Sequence, residues 1–156
     1  IPFVHQGLNK VLDYGSYQTE IYDYCNVQIG YSDDAVETFD FPKNHMDYGS
    51  NIAAYYFWVF PNMMFNFYPW GLSINIVKPI DINTTKISFL SYVYDKNKLH
   101  KGAGNDLDKV EREDELVVEN VHKGVRSSFY KAGRFSPTRE LGVHHFHRLL
   151  AQFLDN

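Results

Sequence analysis

The strongest constraint on this chain's fold is a series of short apolar runs between Asn51 and Tyr94, each closed by turn residues and none separated by a helix. Asn51 to Phe60 is dense in aromatic and aliphatic residues and stops at Pro61-Asn62; Met63 to Tyr68 resumes and stops at Pro69-Trp70-Gly71. Leu72 to Lys78 sets Leu72, Ile74 and Ile76 on one side and Ser73 and Asn75 on the other, and after a turn at Pro79 to Asn83 a last run covers Thr84 to Tyr94. Alternation with a period of two, punctuated by Pro, Gly and Asn, is the signature of strands joined by tight turns. Upstream, Ser16 to Tyr31 reads as extended, with Tyr17, Thr19, Ile21, Val27 and Ile29 at odd positions, and Ser32 to Ser50 reads as a loop, part of a lid. Four or five sequential antiparallel strands are expected.

The pattern changes after Asp95. Lys96 to Asn105 is a charged, glycine-containing loop, and from Asp106 the spacing becomes helical: Leu107, Val110, Asp114, Val117, Val121 and Val125 recur at steps of three and four. Ser136-Pro137, a capping residue followed by proline at the first helical position, predicts a second helix with Val143, Phe146, Leu150, Phe153 and Leu154 on its apolar side. The expected fold class is α+β, a sheet followed by helices, as one domain over residues 1–156 without internal repeats.

Composition closes off several functions. The 156 residues carry a net charge of −4 and no basic stripe, which argues against a general nucleic-acid binder. No apolar stretch approaches the ~20 residues that span a membrane, and the opening Ile1-Pro2-Phe3-Val4-His5 lacks the charged and apolar regions of a targeting signal. The single cysteine, Cys25, cannot form an internal disulfide and fits a reducing, cytoplasmic location. With 12 Tyr, 12 Phe and 2 Trp, the chain holds enough rings for either a thick sheet core or a pocket walled by aromatic side chains.

Asp114 stands out on physical grounds, because it occupies a helix position where the stripe calls for Leu or Val. A carboxylate on a buried stripe costs several kcal/mol unless it is paired or bound to a metal, which leaves a metal ligand, a buried pair with Arg or Lys, or a helix less buried than its stripe implies. Its neighbours Glu111, Glu113 and Glu115 lie off the stripe and read as solvated charges. His5 lies among apolar residues near the N-terminus, where a packed or capping role competes with a ligand role. His144 and His147 share one side of the second helix and His145 faces another, so at most two could share a zinc ion, and no carboxylate lies on that side. Glycine-rich phosphate loops and a Gly-x-Ser-x-Gly elbow are absent.

Several separated segments carry a family resemblance. Trp58 to Trp70, Asn75-Ile76-Val77-Lys78-Pro79, Glu119 to Val125, and Tyr130 to Pro137 continuing into Gly142 to His147 resemble, in order, the catalytic domain of Rieske non-haem iron oxygenase α subunits. The likeness is to the branch of choline monooxygenase and ring-hydroxylating dioxygenase α subunits. It implies a curved antiparallel sheet gripping a long C-terminal helix, and a mononuclear Fe(2+) held by two histidines and one carboxylate, the facial triad. On that resemblance Pro2 to Leu8 matches the surroundings of the second histidine, making His5 that ligand, and Glu113-Asp114-Glu115 matches the carboxylate stretch, with Asp114 at the ligand position. The first histidine would immediately precede Ile1, and the aspartate that passes electrons to the iron would lie just upstream of it; the sequence is therefore expected to be an N-terminally truncated piece, inactive by itself. One cysteine also excludes the family's [2Fe–2S] Rieske cluster from this chain, since that cluster needs two Cys and two His.

For an intact protein the resemblance implies O2 activation beside a small-molecule substrate, either an aromatic ring or a quaternary-ammonium compound, with electrons from NAD(P)H delivered by a separate reductase, and a homotrimer as the assembly. The competing expectation is a non-enzymatic domain of the same shape that binds an apolar small molecule without metal.

Overall fold

The computed structural model describes residues 4–7, 10–33 and 38–155. Its elements run β1 (Gln18–Ile21), β2 (Cys25–Tyr31), β3 (Ile52–Val59), β4 (Met63–Tyr68), β5 (Gly71–Pro79), β6 (Thr85–Val93), a 3-10 turn (Gly102–Gly104), α1 (Leu107–Gly124) and α2 (Leu141–Leu154). The six strands form one antiparallel sheet in chain order. Six rather than four or five result because the extended stretch from Ser16 to Tyr31 folds back on itself: Tyr22 N–H donates to the Cys25 carbonyl at 2.8 Å, turning β1 onto β2. That turn interrupts the odd-position alternation between Ile21 and Val27.

The tight turns do what their residues allow. Phe60-Pro61 is a cis peptide in the β3–β4 hairpin. At the head of β5, Gly71 has φ near +150° and a side chain there would collide with the Tyr92 carbonyl oxygen across the sheet, so only glycine fits. Beside it the Trp70 carbonyl accepts from both Tyr94 N–H and Asp95 N–H, at 2.8 and 3.0 Å, closing the end of β6 onto the turn.

Cross-strand register decides what each face carries. Asn26, Trp58, Met64 and Asn75 pair successively across β2 to β5 and so share one face. Trp58 meets Phe146 of α2 and Asn75 meets Glu111 of α1, so both helices lie on this face. The opposite face carries Val27, Phe57, Phe65, Ile74 and Leu90 in one row. Phe39 and Phe41 cover part of it, against Tyr55, with Phe39 N–H bonded to the Ile52 carbonyl. The stretch expected as a lid thus lies, over residues 38–50, on the sheet face away from the helices; residues 34–37 fall outside the described ones.

A core forms where the sheet meets the chain leading into α1. Trp70 is 1% exposed and stacks on Tyr68 at 5.3 Å, with Leu12, Ala54 and Ala103 packed around them. The second helix begins at Leu141, four residues later than the Ser136-Pro137 signal predicts. Ser136 does cap, but its bonds are consumed in a separate turn: its hydroxyl accepts from Arg139 N–H at 3.3 Å and its own N–H donates to the Glu140 carboxylate at 2.6 Å. The helical ladder proper starts when His144 N–H reaches the Glu140 carbonyl. Among the described residues no helix is long and apolar enough to cross a membrane.

Candidate metal centre

Helix α1 supplies most of the site. Asp106 caps its N-terminus, accepting from Lys109 N–H at 3.3 Å. Asp108 in the first turn and His122 and Lys123 in the last suit the helix dipole, and no proline interrupts the span. The stripe read from the sequence is only half seated. Leu107, Val110, Glu111, Glu113 and Asp114 in its first half are partly buried, whereas Val117, Val121 and Val125 are 39%, 56% and 45% exposed. No residue of α1 is fully buried, and the Asp114 side chain is itself 51% exposed. The helix is thus less buried than its apolar stripe implies.

Asp114 nevertheless meets the other sequence candidate. His5, whose side chain is 13% exposed, lies between two acids: Nδ1 is 2.9 Å from Glu113 Oε2 and Nε2 is 3.0 Å from Asp114 Oδ1. Partial burial raises the Asp114 pKa, and the facing His5 opposes that rise. A separation of 3.0 Å is that of an imidazole–carboxylate hydrogen bond, and adjacent donors of one ion with metal–ligand bonds of about 2.1 Å at right angles lie equally far apart. The remaining imidazole nitrogen rests on a carboxylate, the usual outer partner of a metal-bound histidine. Imidazole and carboxylate are the donors a ferrous facial triad uses, and the residues present fit two of its three positions. Among the described residues no group of three His, Cys, Asp or Glu side chains converges on one point.

Three further residues, Glu111, Asn75 and Glu113, belong to the site. Glu111 is half-buried and accepts a hydrogen bond from Asn75 Nδ2 at 3.0 Å; Ser73 Oγ lies 3.4 Å from Asn75 Oδ1 behind it. Burial pushes the Glu111 pKa up, partly offset by that bond. Glu111 precedes Asp114 by three residues and therefore shares its face, which is the signal that could have found it. Asn75 is a polar residue on the inner side of β5, buried and bonded to this acid. Glu113, read as a solvated charge, is instead 27% exposed and in contact with His5.

The C-terminal histidines are placed differently. His144 and His147 both flank Phe135, with ring centroids at 5.0 and 5.3 Å, and His145 sits edge-on to Trp58 at 6.3 Å. They serve aromatic contacts that seat α2.

An antiparallel sheet with two helices on one face, carrying an imidazole–carboxylate pair between a helix and the chain's N-terminal segment, defines an α+β domain. The chain belongs to the ring hydroxylating alpha subunit (catalytic domain) family, whose model matches residues 1–156. It is 32% identical over 155 residues to the chloroplastic choline monooxygenase of Arabidopsis thaliana, covering 96% of this chain and 35% of that protein. It is 27% identical over 162 residues to the carnitine monooxygenase oxygenase subunit of Escherichia coli K12, covering 95% of this chain and 41% of that protein. Its fold is that of a quaternary ammonium Rieske monooxygenase described for carnitine oxidation and inter-subunit electron transfer, with a TM-score of 0.66 at 20% identity, over 97% of this chain and 44% of that one. The chain thus spans less than half the length of these relatives.

Proposed function

We propose that this chain is the iron-binding portion of a Rieske-type monooxygenase acting on a quaternary-ammonium substrate, with His5 and Asp114 as two of three protein ligands to mononuclear iron. The observation that carries the reading is the 3.0 Å approach of His5 Nε2 to Asp114 Oδ1, between the N-terminal segment and helix α1. The third ligand would be a histidine immediately before Ile1 in a longer protein. The choline and carnitine monooxygenases named above support the quaternary-ammonium class over an aromatic ring. A sheet curved around α1 as a grip belongs to the same reading.

Iron bound there would supply dioxygen activation, with electrons from NAD(P)H arriving through a reductase and a [2Fe–2S] cluster outside this chain. What the chain itself contributes is positional. Nε2 of His5 and the carboxylate of Asp114 offer two adjacent donors, and the Ser73–Asn75–Glu111 contacts tie the ligand-bearing turns of α1 to β5. A homotrimer in which a neighbouring subunit delivers the electron is part of the proposal, as is a reducing cytoplasm, supported by the single cysteine.

The rival, a metal-free domain for apolar ligands, finds little support. A cavity of about 190 Å³ lies between β1, β2 and the start of α2, lined by Tyr14, Tyr17, Thr19, Gln28 and Arg139 among others. It is smaller than usual ligand pockets of roughly 300 Å³ and above, and it mixes an arginine and an amide with the rings. Binding of Fe(II), or of Co(II) as a spectroscopic stand-in, separates the two readings. His5→Ala and Asp114→Ala should each abolish metal binding, whereas His147→Ala should leave it unchanged; retention of the metal in both of the first variants would overturn the assignment.

A further inference from the structure

We infer that the cavity between β1, β2 and the start of α2 binds a small carboxylate whose apolar body is no larger than a six-membered ring. This second site shares no lining residue with the metal centre and stands independently of the iron reading. Its charge comes from Arg139. The guanidinium lies over the Tyr14 ring, 4.5 Å from the centroid, and Nη1 donates to the Tyr14 carbonyl at 3.0 Å. Among the described residues no carboxylate pairs with it. Asp13 bonds instead to Gly15 N–H and the Ser16 hydroxyl, Glu140 bonds to Ser136 N–H, and neither acid lines the cavity. A guanidinium carries five N–H donors in a planar fork that matches a carboxylate, and the Tyr14 carbonyl takes one of them. Held already by a ring and a backbone carbonyl, the side chain loses little further freedom when an anion binds.

The rest of the lining supplies donors and an apolar wall. Thr19 and Gln28 are cross-strand partners on β1 and β2. The Tyr17 hydroxyl donates to Gln28 Oε1 at 3.1 Å, and burial keeps that phenol protonated, so Gln28 retains its NH2 as a donor. That NH2 lies beside the first turn of α2, 3.5 Å from the point that a side-chain carbon on Gly142 would occupy. With the hydroxyls of Thr19 and Thr138 and no acid in the lining, the cavity has the composition of an anion site. The rings of Tyr14 and Tyr17, 6.1 Å apart, form its apolar side with Leu141. An apolar cavity of about 150 Å³ accepts benzene. A volume of about 190 Å³ therefore holds a ring and its carboxylate. Thr138 and Arg139 are exposed, so the ligand enters from solvent.

Benzoate is the probe, titrated into the purified chain and followed in its 1H–15N amide spectrum. Saturable shifts at millimolar concentration are expected, centred on Thr19, Thr138, Leu141 and the backbone and side-chain amides of Gln28. Benzamide has the ring without the charge, and inorganic phosphate has the charge without the ring. Each should bind roughly tenfold more weakly than benzoate, or worse. Arg139→Met keeps the aliphatic stem, removes the fork and should weaken benzoate binding by roughly tenfold or more. Gln28→Glu still accepts from the Tyr17 hydroxyl but places a negative charge in the lining. It should abolish binding, and it carries the test if Arg139→Met does not fold. The inference is overturned by an absence of saturable shifts, by shifts centred on other residues, or by benzamide or phosphate binding as well as benzoate. An unchanged benzoate affinity in either folded variant overturns it equally.

Discussion

Helices α1 and α2 lie on the same sheet face but are held there by different physics. Helix α2 is seated by rings: Phe146 meets Trp58 edge-on at 5.0 Å, Phe153 packs on Phe60 at 4.8 Å and on Tyr24 at 6.3 Å, and Leu149 is buried. Gly142 lets its first turn approach the Asn26 side chain closely. Helix α1 buries no residue completely and is tied instead by polar contacts, Asn75 to Glu111 and His5 to Glu113 and Asp114, with Arg126 just past its end bonded to Asn83 and the Ile82 carbonyl. Apolar packing is non-directional and tolerates small rotations, whereas a hydrogen bond fixes which side chain faces which partner. A helix that must aim carboxylates at an imidazole is therefore better secured by the second kind of contact.

The contrast breaks most visibly at Trp58. Trp58→Ala removes the ring that meets Phe146, His145 and Phe60, and should destabilise the fold by about 3 kcal/mol, the low end for a large-to-small aromatic change because the site is only partly buried. Urea titration measures it; a loss below about 1 kcal/mol would mean that rings do not hold α2. Next comes the close approach of the 3-10 turn leading into α1. A methyl group on Gly104 would run into Trp70 Nε1 and the Tyr68 ring, two of the most buried groups in the molecule. Gly104→Ala should cost about 2 kcal/mol by forcing the 3-10 turn outward. It should also weaken Co(II) binding, because α1 starts only three residues later, whereas Trp58→Ala should leave the affinity of the still-folded protein unchanged. Equal effects of both variants on the metal would erase the distinction.

The two helices also differ in how much of them was legible beforehand. Strand runs from Asn51 to Tyr94 could be placed because proline, glycine and alternation all act locally, and the helical period after Asp106 is equally local. What misled was the assumption that an apolar stripe is buried: Val117, Val121 and Val125 keep the period but remain exposed, so Asp114 looked more deeply placed than it is. Glu111 and Glu113 were set aside because a charge beside other charges has solvation as its simplest account. Their partners are Asn75, 36 residues away from Glu111, and His5, 108 away from Glu113, and no local pattern reports such distant pairings. Asp114 was legible from the helix stripe as well as from family resemblance, whereas His5 rested mainly on the resemblance. The late start of α2 was missed because Ser136 makes the bonds of a cap without a helix following directly.

The smallest expected effect sharpens the comparison at the tie itself. Burial holds the Glu111 pKa above the ordinary glutamate range, with the Asn75 bond opposing. A raised carboxylate binds its proton more readily in the folded state than in the unfolded one, so its contribution favours folding at low pH. That contribution is lost as pH rises through the ordinary range toward the raised value. At neutral pH the charged, half-buried Glu111 therefore slightly destabilises the fold while its hydrogen bond orients α1. Glu111→Gln keeps an acceptor for Asn75 and removes the charge. It should flatten the stability loss across that acidic window and change stability at neutral pH by less than about 1 kcal/mol, in the stabilising direction, since partial exposure screens the charge. Asn75→Ala removes the bond and keeps the charge, and should act in the opposite direction by about 1 kcal/mol. Denaturant midpoints of both variants across pH distinguish a tie made by the hydrogen bond from one made by charge: if both variants move stability the same way, the polar anchoring of α1 is not what holds it.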